Sequence, residues 1–421
     1  MICRFTVENF KAFAEKVDLV FYADGNIKRL DYNYEMVGRE KILKTAGFYG
    51  PNNTGKTCLF LALSSLRSLM LNEYPGRLIN SFSNKGNVTS FVVEYFINGR
   101  FYTYSVDYNS ITREYEREKL VLKSDGESEN TNDVIFERSK RRIVWKGMDE
   151  NLIGTIVQTL FSNSFPFMLA LKDEKNKEIR RARTDYIAFA NSIVLLRMDR
   201  PVDILKTMDL LRTDPKAGRF IKEFVKNCDL NIDDFGFDDN VVCSVPIDEE
   251  LRLATASPDF NKESLKFYSK HNGYRVPTIF FDSIGTMKLI ALSGYIYEAL
   301  RDGKVLIVDE IDSSLHHILT KSIVAMFNNV LNTKAQLLFT THDVMLLDLK
   351  EMFRKDQVWL VDLLKQGSSK AERMSDKFTA RSEDGIRGDE DITRHYLKGR
   401  FGAIPTPDLF SSLEAAVSDE Q

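Results

Sequence analysis

The sequence predicts an α/β fold: a mixed central sheet, an antiparallel β subdomain beside it, and a helical lobe inserted between the two halves of the core. Three patterns carry that expectation. An apolar strand over 43–49 runs straight into Gly50-Pro51-Asn52-Asn53-Thr54-Gly55-Lys56-Thr57 and then into helical spacing, with Leu59, Leu63, Leu66 and Leu69 on one face. Aromatic and β-branched residues recur at period two over 88–122. Short apolar strands over 305–308 and 336–340 alternate with helical segments, the rhythm of a parallel sheet covered on both faces.

Residues 1–22 alternate apolar and polar around Ile2, Phe5, Val7 and Phe10 and again around Val17, Val20 and Phe21, which predicts two short strands in a hairpin. The strand, glycine loop and helix of 43–71 follow. Asn98-Gly99 accepts the positive φ angles of a tight turn, so 91–97 and 101–106 pair, and the meander continues through 134–145 beyond a polar loop at 124–133. Residues 150–228 read as mainly helical, with charge-rich faces such as 172–183. A second core-like segment opens near Val276, with helices over 287–300 and 318–331 around the two apolar strands. The tail over 366–388 is polar and poorly patterned, and 417–421 is expected to fray. The organisation expected is 1–150 for the N-terminal half of the core with its antiparallel subdomain, 151–275 for the inserted lobe, 276–365 for the C-terminal half, and 366–421 for an extension.

At 421 residues, 43% hydrophobic and 28% charged, the composition is that of an ordinary globular protein. No run approaches the roughly 18 to 20 apolar residues of a membrane span, and Met1-Ile2-Cys3-Arg4-Phe5 lacks a basic segment followed by an apolar one, so a cytoplasmic location is expected. Cys3, Cys58, Cys228 and Cys243 have no metal-type spacing and read as reduced thiols. A net charge of -3 gives no global attraction to nucleic acid.

Residues 50–57 satisfy every constrained position of the phosphate-binding pattern G-x-x-x-x-G-K-T, between a strand and a helix as the mechanism needs. The backbone from Gly50 through Pro51, Asn52, Asn53, Thr54 and Gly55 can encircle phosphates, and the helix-start amides of Lys56, Thr57 and Cys58 add positive potential. Lys56 is expected to bridge the β- and γ-phosphates of ATP, and the Thr57 hydroxyl to ligate Mg²⁺. The apolar strand over 305–308 ends in Asp309-Glu310. Asp309 is expected to hold Mg²⁺ through water and Glu310 to act as general base on the attacking water; an acidic strand end that only caps the next turn is the alternative. His342 follows 336–340, where a neutral imidazole can orient water and sense a terminal phosphate; a lone structural histidine is the alternative. Three strand ends converging on one sheet edge favour the catalytic assignment.

Together, Gly50 to Thr57, Val308-Asp309-Glu310-Ile311-Asp312-Ser313-Ser314-Leu315-His316 and Thr340-Thr341-His342-Asp343 resemble the AAA-type ATPases of the ABC, SMC and RecF branch. In particular the chain is similar to the prokaryotic ABC-type ATPases related to overcoming-lysogenization-defect (OLD-like) proteins, frequent in anti-phage defence. Phe5-Thr6-Val7-Glu8-Asn9-Phe10-Lys11-Ala12-Phe13 resembles the first strand of that branch, and 396–405 the end of the subfamily. The resemblance implies a P-loop NTPase of ABC type. It implies that Asp282-Ser283-Ile284-Gly285-Thr286 is a degenerate signature, with Ser283 and the Gly285 backbone facing the γ-phosphate of the opposite subunit; a serine N-cap with a turn glycine is the alternative. It implies that 312–315 couples the two sites, with a plain helix start as the alternative. The usual Leu-Ser-Gly-Gly is absent, and Gln158 is a candidate for the Q-loop glutamine that also reads as a surface helical residue. No long heptad arms occur. Asp362, Asp376, Asp384, Asp389 and Asp391 are dispersed, unlike the metal-binding TOPRIM nuclease domain of the OLD proteins.

The expected function is ATP binding and hydrolysis at a composite interface of a dimer or higher even oligomer. That cycle would sense or regulate a separately encoded effector, such as a nuclease or toxin, in bacterial anti-phage defence. A DNA-end or DNA-structure sensor of RecF or SMC type is the alternative, favoured by Lys140-Arg141-Arg142 and Arg180-Arg181, although charge runs are usually solvated faces. The dispersed tail carboxylates argue against a nuclease in its own right, and no membrane partner is expected.

Overall fold

The computed structural model describes residues 1–78, 86–123, 133–139, 142–146, 163–172, 175–200, 202–228, 230–238, 266–364, 367–378 and 392–398. Gln158, Cys243, Lys140, Arg141, Asp384, Asp389, Asp391 and 417–421 lie outside them. The chain opens with the antiparallel pair β1 (Ile2–Glu8) and β2 (Val17–Val20), the expected hairpin. A ribbon of β3 (Tyr34–Val37) and β4 (Glu40–Leu43) leads into β5 (Thr45–Tyr49), the glycine loop and α1 (Lys56–Met70). The meander follows as β6 (Val88–Ile97), β7 (Arg100–Asn109), β8 (Glu114–Lys123), β9 (Asp133–Ser139) and β10 (Arg142–Trp145). Asn98 and Gly99 take φ of 49° and 78°, the left-handed pair that closes a two-residue hairpin between Ile97 and Arg100.

Next come α2 (Lys177–Ser192), β11 (Ile193–Arg197), α3 (Leu205–Thr213) and α4 (Pro215–Lys226). Strands β12 (Asp234–Phe237), β13 (Phe267–His271) and β14 (Tyr274–Pro277) form a small antiparallel sheet. The chain continues through α5 (Ile284–Asp302), β15 (Val305–Asp309), α6 (His317–Asn328), β16 (Gln336–Thr340), β17 (Val358–Leu363) and β18 (Ser369–Arg373).

Two large sheets result. The antiparallel one has the order β10-β9-β8-β7-β6-β1-β2, and the mixed one β11-β15-β16-β5-β17-β18, parallel except for the β17–β18 pair. This is the mixed central sheet and antiparallel subdomain expected of an ABC-type P-loop NTPase. β15, β16 and β5 are buried at every residue, as strands covered on both faces must be. Leu59, Phe60, Leu63 and Leu66 of α1 fill the space between the sheets with Phe5, Phe91, Ile307 and Leu338. On the other face, Leu289, Ile290 and Ile296 of α5 and Val324 of α6 pack with Leu306, Val308, Leu337 and Phe339. Alternate residues of β15 thus face two different cores.

The helical reading of 150–228 is corrected at Ile193–Arg197, which pairs parallel with β15 as an edge of the mixed sheet. Ile193 is itself the C-cap of α2, so the helix passes into the strand with no turn residue to mark the change. β12, β13 and the start of β14 likewise fall in the 151–275 stretch expected to be mainly helical. The polar segment after 366 supplies β18, the opposite edge strand. Among the described residues no helix is long and apolar enough to cross a membrane.

Candidate functional site

β5, β15 and β16 run parallel and deliver their following loops to one edge of the sheet. Both loop glycines are sterically required. A Cβ on Gly50 would come 2.1 Å from the Val361 carbonyl oxygen, and one on Gly55, which has φ 97°, would come 2.8 Å from Ser369 Oγ. Asn53 also turns the loop, with φ 61°, and the Thr54 hydroxyl donates to the Pro51 carbonyl at 2.9 Å. Asn52 and Asn53 are exposed. Gly55 is the N-cap of α1 and brings no side-chain cap, and the first helical bond is Leu59 N–H to the Gly55 carbonyl at 3.2 Å. The amides of Lys56, Thr57 and Cys58 precede that bond, which is where an anion is held at a helix start. The Cys58 thiol sits against the Ala12 backbone, and burial raises its pKa.

Lys56 is buried, and its ammonium donates to the carbonyls of Gly50 and Pro51, both at 2.7 Å. The charge is already aimed into the loop. Burial pushes its pKa down to about 8 against the pull of Asp309, Glu310 and Asp312. A lysine and a helix start around a loop that admits no side chain at Gly50 or Gly55 fit a nucleotide's phosphates.

Asp309 is 2% exposed, and one hydroxyl fixes it together with the turn beyond it: Thr340 Oγ1 donates to Asp309 Oδ1 at 2.7 Å and accepts from Glu310 N–H at 2.7 Å. Glu310 has φ 55°, a left-handed conformation that costs a β-carbon residue about 1 kcal/mol. It is held there by Ile311 N–H to the Thr340 carbonyl (3.0 Å) and Ser313 N–H to its own carbonyl (2.9 Å). Desolvation, then Asp309, Asp199 and Asp312, raise the Glu310 pKa, with Lys56 opposing. Asp199 stands just past β11, beside Arg197, whose guanidinium pairs with it at 2.6 Å and lies 3.9 Å from Asp309. A base must be ionised to accept a proton, so if Glu310 is the base the rate is expected to fall as pH drops through this raised pKa. Asp199→Asn removes a neighbouring negative charge, so the acid limb of the pH–rate profile is expected to move to lower pH; an unmoved limb would separate Asp199 from Glu310.

His342 is exposed, with its backbone N–H donating to Asp312 Oδ2 at 3.2 Å. Desolvation and then Lys56 lower its pKa, so the imidazole is neutral at neutral pH, with Asp312 and Asp309 pulling the other way. These mutual shifts place Lys56, Asp309, Glu310, Asp312 and His342 in one electrostatic neighbourhood. Ser283 and Gly285 are brought elsewhere. The Ser283 hydroxyl accepts from Thr286 N–H at 3.1 Å as the N-cap of α5, and a Cβ on Gly285 would come 2.5 Å from the Ser314 carbonyl oxygen. Their contacts run to their own helix and to 312–315, not to 50–57. Beside them in the chain, Phe281 (47%) and Ile284 (64%) expose apolar side chains, as do Ile318 (58%) and Met345 (63%) in the stretches that follow Asp309 and His342.

Among the described residues no group of three or more histidine, cysteine or acidic side chains converges to hold a metal. The Thr57 hydroxyl and Asp309, the two groups expected from the sequence to hold Mg²⁺, would be a sparse set, of the kind that suits a cation which keeps waters and phosphate oxygens as ligands. Sequence reading missed Arg197, Asp199 and Lys288, and the double role of Thr340. Arg142, Arg180 and Arg181 are exposed.

Among solved structures, the SMC head domain from Thermotoga maritima is similar, with a TM-score of 0.42 and 12% identity over 88% of this chain and 98% of that one. The SMC head bound to the C-winged helix domain of ScpA is similar with a TM-score of 0.48 and 14% identity, over 90% and 99%. No curated protein matches the sequence. Residues 46–348, which carry the glycine loop, Asp309, Glu310 and His342, match the family model described as "AAA domain, putative AbiEii toxin, Type IV TA system"; that span is most of the chain, and the chain belongs to this family of P-loop ATPases.

Proposed function

We propose that the chain is an ATP-operated switch that closes on a second copy of itself, hydrolyses the nucleotide between the copies, and passes the change to a separately encoded effector in a bacterial defence system. The observation that supports it is the division of the site. Lys56, the α1 amides, Asp309 and Glu310 lie together, whereas Ser283 and Gly285 stand at an exposed helix start flanked in the chain by the exposed Phe281 and Ile284. A second copy would bring that helix start to the nucleotide and cover the apolar side chains beside it.

On this reading the α1 amides and Lys56 bind the phosphates. Glu310 takes a proton from the attacking water, and neutral His342 orients that water. Bound Mg²⁺, held by Thr57 and Asp309, supplies neutralisation of the charge that builds on the transferred phosphoryl group. ATP favours the closed pair and hydrolysis releases it, so the interface is the switched element. The cytoplasm, where ATP is available, is the compartment this requires. The family description names a "putative AbiEii toxin, Type IV TA system"; on our reading the output is exerted through a partner protein.

Light scattering with and without Mg-ATP tests the reading. The mass is expected to double with ATP and to return as phosphate is released. A chain that turns ATP over while remaining a monomer would overturn it.

A further inference from the structure

Lys288 lies one turn into α5, yet it is 7% exposed and its side chain runs inward. Its ammonium donates to the Met198 carbonyl and stands 3.4 Å from both Ser313 Oγ and Ser314 Oγ. No carboxylate among the described residues forms an ion pair with it. A buried ammonium compensated only by neutral oxygens is costly, and methionine would fill the same space without that penalty. The lysine is therefore a poor choice for stability alone.

Its three acceptors belong to the parts of the molecule that must keep register for composite catalysis. Met198 follows β11, and its N–H donates to the Asp309 carbonyl at 2.9 Å. Ser313 N–H donates to the Glu310 carbonyl at 2.9 Å. Ser314 has φ 67°, and its carbonyl lies against Gly285, where not even a methyl group would fit. One ammonium, carried on the helix that begins after Ser283, thus touches the chain just past the strand end beside the metal-side acid and the loop after the general base.

We propose that Lys288 is a positioning residue that locks the Asp309–Glu310 end of a subunit to the signature edge which the same subunit presents to its partner. The two half-sites of one chain then move as a unit. The proposal rests on the composite-site reading above and deepens it by naming the link within each subunit.

Lys288→Met keeps the bulk and removes the donors. ATP affinity at the 50–57 loop, measured by calorimetry with Mg-ATP at a chain concentration at which the parent stays monomeric, is expected to stay within about twofold, because that interaction is made without Lys288. The kcat is expected to fall about 100-fold, the scale of a small misplacement far from the reacting atoms. In a Glu310→Gln background, ATP-dependent doubling of mass is expected to disappear when Lys288→Met is added. A Ser313→Ala/Ser314→Ala variant should show the same split and add little to Lys288→Met, since all three act through one contact; it carries the test if Lys288→Met does not fold. An unchanged kcat, a loss of affinity in step with kcat, or full additivity would overturn the proposal. If Glu310→Gln doubles with ATP and the Glu310→Gln/Lys288→Met variant doubles equally, the lysine proposal alone falls. If Glu310→Gln itself never doubles, the composite-site reading falls and takes this one with it.

Discussion

Glu310→Gln is expected to lower ATP turnover by about 10² to 10⁴-fold while nucleotide affinity holds or tightens, the range a positioned general base contributes. The substitution is close to isosteric and leaves the backbone bond from residue 310 to Thr340 Oγ1 untouched, so the left-handed turn at φ 55° survives. What it removes is charge. Asp309, Asp199 and Asp312 already disfavour ionisation of Glu310, so a neutral amide relieves repulsion in the free protein and lessens the negative potential facing incoming phosphates. Steady-state phosphate release together with calorimetric titration of Mg-ATP separates the two effects. Turnover near that of the parent chain would remove Glu310 as the base, and parallel loss of binding would make it a structural residue.

The sequence showed the site where chemistry is local in the chain and hid it where the contact is distant. Eight consecutive residues specify the phosphate loop, and Asp309 and His342 each follow an apolar strand, so the sheet edge that joins them could be read from the strands alone. The reason for Gly50 could not be: it depends on the Val361 carbonyl of β17, more than 300 positions away. The edge strands β11 and β18 were missed for related reasons. Ile193–Arg197 is a short apolar run continuous with a helix, which periodicity cannot separate from one, and Ser369–Arg373 is a polar strand with a single partner. Missing β11 also hid Arg197 and Asp199, because only strand pairing sets them beside Asp309. Ser283 shows the opposite difficulty: the expected role and the plain N-cap predict the same serine, and within one chain only the cap is formed.

Lys56→Ala is expected to weaken ATP binding by about 30-fold or more, taking 2 kcal/mol as the low end for truncating one partner of a buried, hydrogen-bonded charge pair. A second signature distinguishes this from general damage to the loop. Without phosphates nearby, burial holds the Lys56 pKa at about 8. Triphosphate oxygens favour the charged form and raise it, so above about pH 8 the parent chain must take up a proton as it binds, and its affinity falls as pH rises. The variant has no ammonium there and loses that slope. Calorimetry in buffers of different ionisation enthalpy counts the protons directly at pH 8 to 9. Lost affinity together with a vanished proton uptake assigns the charge to Lys56. Lost affinity with uptake intact would mean that another group carries the proton, and that the carbonyl bonds from Lys56 to Gly50 and Pro51 matter only for holding the loop open.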